Sequence, residues 1–174
     1  QRQMCIRDRP DIITIGKPLG NGHPIAAVAC TQKVAEGFNN GMEFFNTFGG
    51  NPVSCAIAKT VLEVIEDEKL QENSLVVGNF LKTNLQELSS KYSIIGSVRG
   101  QGLFLGVEFV NKQLQPLAEQ ADYFINRMKS YGILLSTDGP DHNVIKIKPP
   151  LVFSMQNAKD FLKYFTLVLQ EDLM

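Results

Sequence analysis

Three polar side chains, those of Lys17, Thr47 and Arg99, stand next to glycine-rich segments. Side chains of these types can take part in catalysis or bind charged ligands. Lys17 directly follows Ile12–Gly16, a run in which four of the five residues are apolar or glycine. Such a run predicts a buried strand, and we expect Lys17 to lie at its end, withdrawn from water and held extended by Pro18. Burial disfavours the charged ammonium, so the pKa of the amine falls and the free amine can attack a carbonyl. Lys17 is therefore a candidate for Schiff-base chemistry, although a lysine with a buried stem and a hydrated head fits the same pattern.

The other two side chains are a threonine and an arginine. Thr47 lies just before a Gly-Gly-Asn-Pro sequence in which Asn51 and Pro52 predict the start of a helix. Backbone amides at a helix start can hold an anion beside the threonine hydroxyl. Arg99 is followed by Gly100–Gly102, which leaves the guanidinium open to a planar carboxylate. The residues alone fit equally a threonine that stabilises a loop and a surface arginine in a turn.

The segments before residue 70 must position the lysine and the threonine. After the glycine loop, Ile25–Cys30 predicts a second buried strand, and Thr31 is placed to cap a short helix that ends at Phe38. A longer helix is predicted over residues 52–67, with Cys55 in its core-facing side.

From residue 70 onward the pattern predicts a separate small α+β domain. Its elements are expected at residues 71–92 (helix), 94–98 and 103–110 (strands), 118–131 (helix), 133–135 and 144–148 (strands), and from Ser154 onward (helix). Gly132 suits the end of the second helix. Together these elements predict helices layered on a mostly antiparallel sheet. Lys146 and Lys148 alternate outward on the last strand and are interpreted as solvated.

The composition limits the classes of function. The 174 residues include 17 basic and 18 acidic side chains, a formal net charge of -1, which gives no electrostatic reason to expect nucleic acid or an anionic membrane surface. No apolar run approaches membrane-spanning length, and the three cysteines lack metal-ligand spacing, which favours a reduced cytoplasmic setting without a metal. His23 has no acid nearby in the sequence and is interpreted as a loop or packing histidine. We expect a soluble protein that acts on small molecules.

Three segments, taken in order, resemble class III aminotransferases, the pyridoxal-phosphate enzymes of the ornithine and 4-aminobutyrate aminotransferase type. They are Pro10–Pro24, Phe45–Pro52 and Val98–Glu108. The resemblance implies the C-terminal part of a fold type I PLP-dependent transferase, an α/β plus α+β fold. Residues 10–69 would then be the end of the large cofactor-binding domain with its linking helix, and residues 70–174 the small domain. Residues 1–9 match nothing in the family and are interpreted as a non-native segment.

The resemblance also implies roles for the three side chains. Lys17 matches the catalytic lysine, which also binds pyridoxal 5'-phosphate. Thr47 matches a threonine that reaches the cofactor phosphate of the neighbouring subunit, which implies a homodimer with shared active sites. Arg99 matches the arginine that binds the α-carboxylate of an amino-acid substrate. The implied reaction transfers an amino group from an amine or amino acid to an oxo acid.

Two alternatives stay open. The lysine loop, with Leu134–Pro140 and Ile145–Leu151, looks especially like the branch that contains ethanolamine-phosphate and phosphohydroxylysine phospho-lyases and alanine-glyoxylate aminotransferase 2-like proteins. In those lyases the same lysine removes a proton, but phosphate leaves and no amino group is exchanged. The second alternative is a catalytically inert fragment, because the family's upstream aspartate, ring-covering aromatic and Gly-Ser phosphate loop have no match here.

Overall fold

The computed structural model describes residues 9–172. The chain forms two compact units, divided between Glu68 and Lys69. This division does not show what either unit binds. It therefore stays a prediction that residues 10–69 belong to a cofactor-binding domain and residues 70–174 to a small domain. None of the helices in the described residues is long and apolar enough to cross a membrane.

The first unit consists of two short strands and two helices around a glycine loop. Its elements in order are β1 (Ile12–Ile15), a one-turn 3-10 helix (Lys17–Gly20), β2 (Ala27–Cys30), α1 (Gln32–Phe38) and α2 (Pro52–Asp67). The strands pair antiparallel, with Ile12 opposite Cys30. Asn51 caps α2 as predicted, because its side-chain oxygen accepts hydrogen bonds from the amides of Val53 and Ser54 at 3.0 and 3.1 Å.

Most apolar side chains of this unit lie at the surface. The prediction of two buried strands is wrong, because every residue of β1 and β2 is exposed. The two strands pair only with each other, and a two-stranded sheet has no further strand to cover its edges. Cys55, predicted to be in the core of its helix, is exposed as well. Among the described residues of the unit, the buried apolar side chains are those of Leu19 and Ala58.

The second unit is a layer of helices on an antiparallel sheet, and the predicted mixed fold class is confirmed. Its elements in order are α3 (Leu70–Ser89), β3 (Ile95–Gln101), β4 (Phe104–Phe109), α4 (Ala118–Ser130), β5 (Ser136–Asp138), β6 (Val144–Ile147) and α5 (Met155–Leu169). The strand order is β3-β4-β6-β5. The core joins the sheet to the helices through Phe109, Phe124 and Phe165, with ring centroids 5.2 and 4.6 Å apart along that series.

One predicted strand of this unit is wrong. Residues 133–135 form no strand, and β5 begins only at Ser136. Gly132 adopts a φ of 78° and ends α4 as predicted, and the amide of Ile133 donates to the carbonyl of Met128 at 3.0 Å. The residues after α4 therefore complete its C-terminal cap, and Leu134 is left exposed.

The end of the described chain is held to α4 by a carboxylate. Arg127 donates from Nε and Nη2 to both oxygens of Glu171 at 2.8 to 3.1 Å, and the hydroxyl of Tyr123 donates to the same carboxylate. These hydrogen bonds lower the pKa of Glu171 to about 2, and those from Arg127 contribute more than the one from Tyr123. The same contact with Glu171 raises the pKa of Tyr123.

We expect Glu171→Gln to destabilise the second unit at neutral pH but not in strong acid. The pKa of Glu171 is lower in the folded protein than its ordinary value of 4.5, so its stabilisation is present above 4.5 and is lost as the pH falls towards about 2. Denaturant unfolding followed by tyrosine fluorescence measures this, since all four tyrosines lie in the second unit. Glu87→Gln is the matched control, because Glu87 has no hydrogen bond or ion pair in the described residues. A Glu171→Gln deficit independent of pH would contradict the expectation.

Candidate active site

Lys17 is the first residue of the 3-10 helix, one residue after β1. The turn is closed by the amide of Leu19, which donates to the carbonyl of Gly16 at 2.9 Å, and its last two residues are buried. Lys17 itself is exposed, so the expected burial is wrong. Its extended conformation is also wrong, because Pro18 sits in the first turn of a helix, where its missing N–H is not needed.

The glycine loop connects this turn to β2. Asn21 and Gly22 adopt positive φ values of 44° and 106°, which reverse the chain. A Cβ at Gly20 would lie 2.8 Å from the side chain of Ile25, so the loop also needs glycine for its close return. Beyond the loop, His23 forms a hydrogen bond through Nε2 with the hydroxyl of Ser54 at 2.8 Å. This bond gives His23 a packing role, as the sequence indicated.

Thr47 lies in an exposed bend before α2. The bend is ordered by Asn46, whose side-chain oxygen accepts hydrogen bonds from the amides of Phe48 and Gly49 at 3.2 and 2.9 Å. Within the described part of the chain, the hydroxyl of Thr47 has no hydrogen-bond partner. It is therefore free to donate to a ligand.

The start of α2 offers fewer amides to an anion than the sequence suggested. Pro52 has no N–H, and the next two amides, those of Val53 and Ser54, already donate to Asn51. The predicted contribution of these amides to an anion site is therefore wrong in this structure, because the cap satisfies them first.

A cavity of about 860 Å³ opens between the glycine loop and α2, inside the first unit. Its walls include Leu19, His23, Phe48, Ser54, Ala58 and Leu62. The wall is mainly apolar, and Lys17 and Thr47 are not among its lining residues. The structure therefore places both side chains in one unit but does not bring them together in this cavity.

Arg99 belongs to the second unit and lies within β3, not in a loop after it as predicted. Its Nη1 donates to the hydroxyl of Ser97 at 2.6 Å and to Oε2 of Glu108 at 2.8 Å. The hydroxyl of Ser97 also donates to Glu108, at 2.8 Å. The hydrogen bond from Ser97, followed by that from Arg99, lowers the pKa of Glu108. Sequence reasoning missed both partners, although residues two apart on a strand share a face.

Glycines allow the hairpin that contains Arg99 to pack closely against α3. Gly100 has a φ of 130° and Gly102 a φ of 55°, which let the chain turn from β3 into β4. The hydroxyl of Ser74 on α3 accepts a hydrogen bond from the amide of Leu103 at 3.2 Å. A side chain at Gly78 would overlap the carbonyl group of Gly102, so the helix backbone lies directly on the turn. The position of Arg99 is thus fixed by contacts that only glycine permits.

The described residues contain no group of histidine, cysteine, aspartate or glutamate that could hold a metal ion. Residues 3–169 match the family Aminotransferase class-III, a range that includes residues 3–9 of the segment interpreted from the sequence as non-native. The chain belongs to this family. The resemblance carried by the three segments is thereby confirmed.

Individual relatives agree with the family assignment of this class-III aminotransferase chain. The alanine-glyoxylate aminotransferase 2-like protein of Drosophila melanogaster is 48% identical over 172 residues, which cover 94% of this chain and 35% of the relative. A phospholyase from Arthrobacter in complex with phosphoethanolamine superposes with a TM-score of 0.91 at 37% identity, over 97% of this chain and 40% of that one. An amine transaminase from an uncultivated Pseudomonas species, in its PLP-bound internal aldimine form, gives 0.80 at 30% identity, over 92% and 38%. The chain thus spans about a third of the length of its curated relative.

Proposed function

We propose that this chain forms part of a PLP-dependent aminotransferase, which transfers an amino group from an amine or amino acid to an oxo acid. The observation that carries the proposal is the family match over residues 3–169, within which Lys17 supplies a primary amine on the turn after β1. Support for the cofactor comes from the Pseudomonas transaminase, which has PLP bound.

The side chains present suit the two reactive ends of pyridoxal phosphate. Its aldehyde needs a primary amine, and Lys17 has no hydrogen bond or ion pair within the described residues. Its phosphate needs donors, and the hydroxyl of Thr47 is exposed and unpaired within the same residues. In the proposal Lys17 would hold the aldehyde carbon of one cofactor, and Thr47 would bind the phosphate of the cofactor in the neighbouring subunit. Because the matching threonine serves the neighbouring subunit, the active form is proposed to be a homodimer.

The chemistry is divided between the cofactor and the chain. When bound, pyridoxal phosphate supplies an electron sink for the carbon that loses a proton. Lys17 would take that proton with its amine and return it to the C4′ carbon of the cofactor, as a general base and acid. Arg99 binds the substrate carboxylate, which orients the carbon that reacts. The cytoplasmic location stays a prediction.

A phospho-lyase is the second candidate. The Arthrobacter phospholyase, solved with phosphoethanolamine, superposes with a TM-score of 0.91. In this alternative Lys17 removes a proton in the same way, but phosphate leaves the substrate and no oxo acid is needed. The two candidates therefore differ in their products.

Product analysis on the PLP-loaded holoenzyme that contains this chain tests the proposal. With alanine and glyoxylate we expect pyruvate and glycine, formed in equal amounts, because an amino group is exchanged. Phosphoethanolamine without an oxo acid should release no phosphate. Phosphate release without amino transfer would overturn the proposal in favour of the lyase. Absence of both reactions, with the cofactor bound, would overturn both candidates.

A further inference from the structure

Within the described residues, one hydrogen bond joins the glycine loop to α2. Nε2 of His23 lies 2.8 Å from Oγ of Ser54, and the two residues are 31 positions apart in the sequence. Either the ring or the hydroxyl can donate, so the bond forms with both neutral tautomers of His23. Both side chains are half-buried in the mainly apolar wall of the cavity, where a hydrogen bond is electrostatically stronger than in water. The bond is therefore a specific link between the loop and the helix.

On the loop side, backbone hydrogen bonds connect His23 to the turn that carries Lys17. The amide of Asn21 donates to the carbonyl of Pro18 at 3.1 Å. The amide of His23 donates to the carbonyl of Gly20 at 3.0 Å. These two turns overlap, so the backbone from Lys17 to His23 is closed by hydrogen bonds along its length. Anchoring the side chain of His23 therefore also restrains the position of Lys17.

On the helix side, a second series of hydrogen bonds connects Ser54 to the bend that carries Thr47. The amide of Ser54 donates to the side chain of Asn51 at 3.1 Å. The amide of Asn51 donates to the carbonyl of Phe48 at 3.3 Å, and the amide of Phe48 donates to the side chain of Asn46. Asn46 and Phe48 are the two neighbours of Thr47 in the sequence. The position of Ser54 therefore restrains that of the threonine.

We propose that His23 and Ser54 are positioning residues, whose hydrogen bond holds the Lys17 turn and the Thr47 bend at a fixed separation. This inference rests on the proposed function, in which Lys17 would hold the aldehyde and Thr47 would bind the phosphate of the neighbouring subunit's cofactor. It extends that function by naming two residues that bind no part of the cofactor. In a homodimer, each such bond joins the amine of one active site to the phosphate donor of the other.

The bond lowers the cost of placing the threonine hydroxyl on the phosphate. Without it, the bend and the lysine turn are free to move relative to each other, and binding of the cofactor must order them. Ordering is needed only for a ligand that reaches both segments. A ligand with an aldehyde and no phosphate needs the amine of Lys17 alone, and the turn of that residue keeps its own backbone hydrogen bonds.

Paired binding of PLP and pyridoxal to the full-length enzyme, after removal of its cofactor, tests the inference, because the two ligands differ by one phosphate group. Ser54→Ala should raise the dissociation constant of PLP about fivefold, the effect of losing one ordinary hydrogen bond. It should leave the dissociation constant of pyridoxal unchanged. Absorbance titration measures both constants. A general loss of structure would weaken both ligands equally.

Three further variants make the test specific to the bond. His23→Ala should match Ser54→Ala, and the double variant should be no weaker than either, because each removes the same hydrogen bond. His23→Gln should restore most of the affinity for PLP, since its side-chain amide can reach the position of Nε2. Thr60→Ala is the matched control: Thr60 is exposed on the same helix and has no hydrogen bond within the described residues. It should change neither dissociation constant.

Unchanged binding of PLP in Ser54→Ala, or an equal loss of affinity for both ligands, would overturn the positioning role. Thr47→Ala separates this failure from that of the proposed function. A selective loss of affinity for PLP in Thr47→Ala, with none in Ser54→Ala, refutes the positioning role alone. Unchanged binding of PLP in Thr47→Ala refutes the proposed role of Thr47 and the inference with it.

Discussion

Lys17→Ala is expected to abolish covalent attachment of pyridoxal phosphate and to lower kcat by roughly 10²–10⁴-fold, the usual contribution of a positioned acid–base group. Lys17 is separated from β1 by Gly16, and no neighbouring residue in the sequence carries a primary amine. Its amine has no hydrogen bond or ion pair in the described chain, so the variant should not disturb the fold. The loss should therefore appear in the chemistry and not in the stability.

Borohydride reduction of the PLP-loaded holoenzyme, followed by peptide mass spectrometry, locates the attachment. We expect a pyridoxyl group on the peptide that contains Lys17, and none in Lys17→Ala. Lys33→Ala is the matched control, because Lys33 is an exposed lysine on α1 of the same unit. It should keep the adduct and the turnover. An adduct on another lysine of the native enzyme, or full activity in Lys17→Ala, would remove Lys17 from the proposed mechanism.

The elements that end at strong local signals were predicted well from the sequence. Asn51 and Ser154 both cap their helices through side-chain bonds, and Gly132 ends α4 with a positive φ. Each of these signals acts within one turn of the chain, so the residues alone determine it. The helices of the second unit were predicted from a second local signal, because their buried residues repeat with the helical period.

Burial and pairing could not be predicted in the same way. The apolar run before Lys17 indicated a buried strand, but whether a strand is buried depends on which elements cover it, and β1 pairs with β2 alone. Glu108, the carboxylate partner of Arg99, was missed because it lies nine residues later in the chain, across a turn that sets the register of β3 against β4. Three residues could be proposed as the site from a family resemblance. Their environments needed the structure.

Gly78→Ala is expected to destabilise the second unit by about 2 kcal/mol. The new methyl group would overlap the carbonyl group of Gly102, and overpacking of this kind costs about 3 kcal/mol where rigid backbone must move. Alanine favours the helix over glycine by about 1 kcal/mol, which offsets part of this cost. The clash dominates because Gly78 is buried on α3 and the opposing atoms belong to a turn that cannot rotate away.

Denaturant unfolding followed by tyrosine fluorescence measures this effect, because the tyrosines report on the second unit. Thr83→Ala is the matched control: Thr83 is exposed on the same helix, and its replacement also raises helix propensity, so it should leave stability unchanged or slightly higher. Gly78→Ala should also weaken binding of carboxylate substrates, because displacement of the turn would move the guanidinium of Arg99. Equal stability of the two variants would show that α3 does not press on the hairpin, and the packing argument for the position of Arg99 would then be wrong.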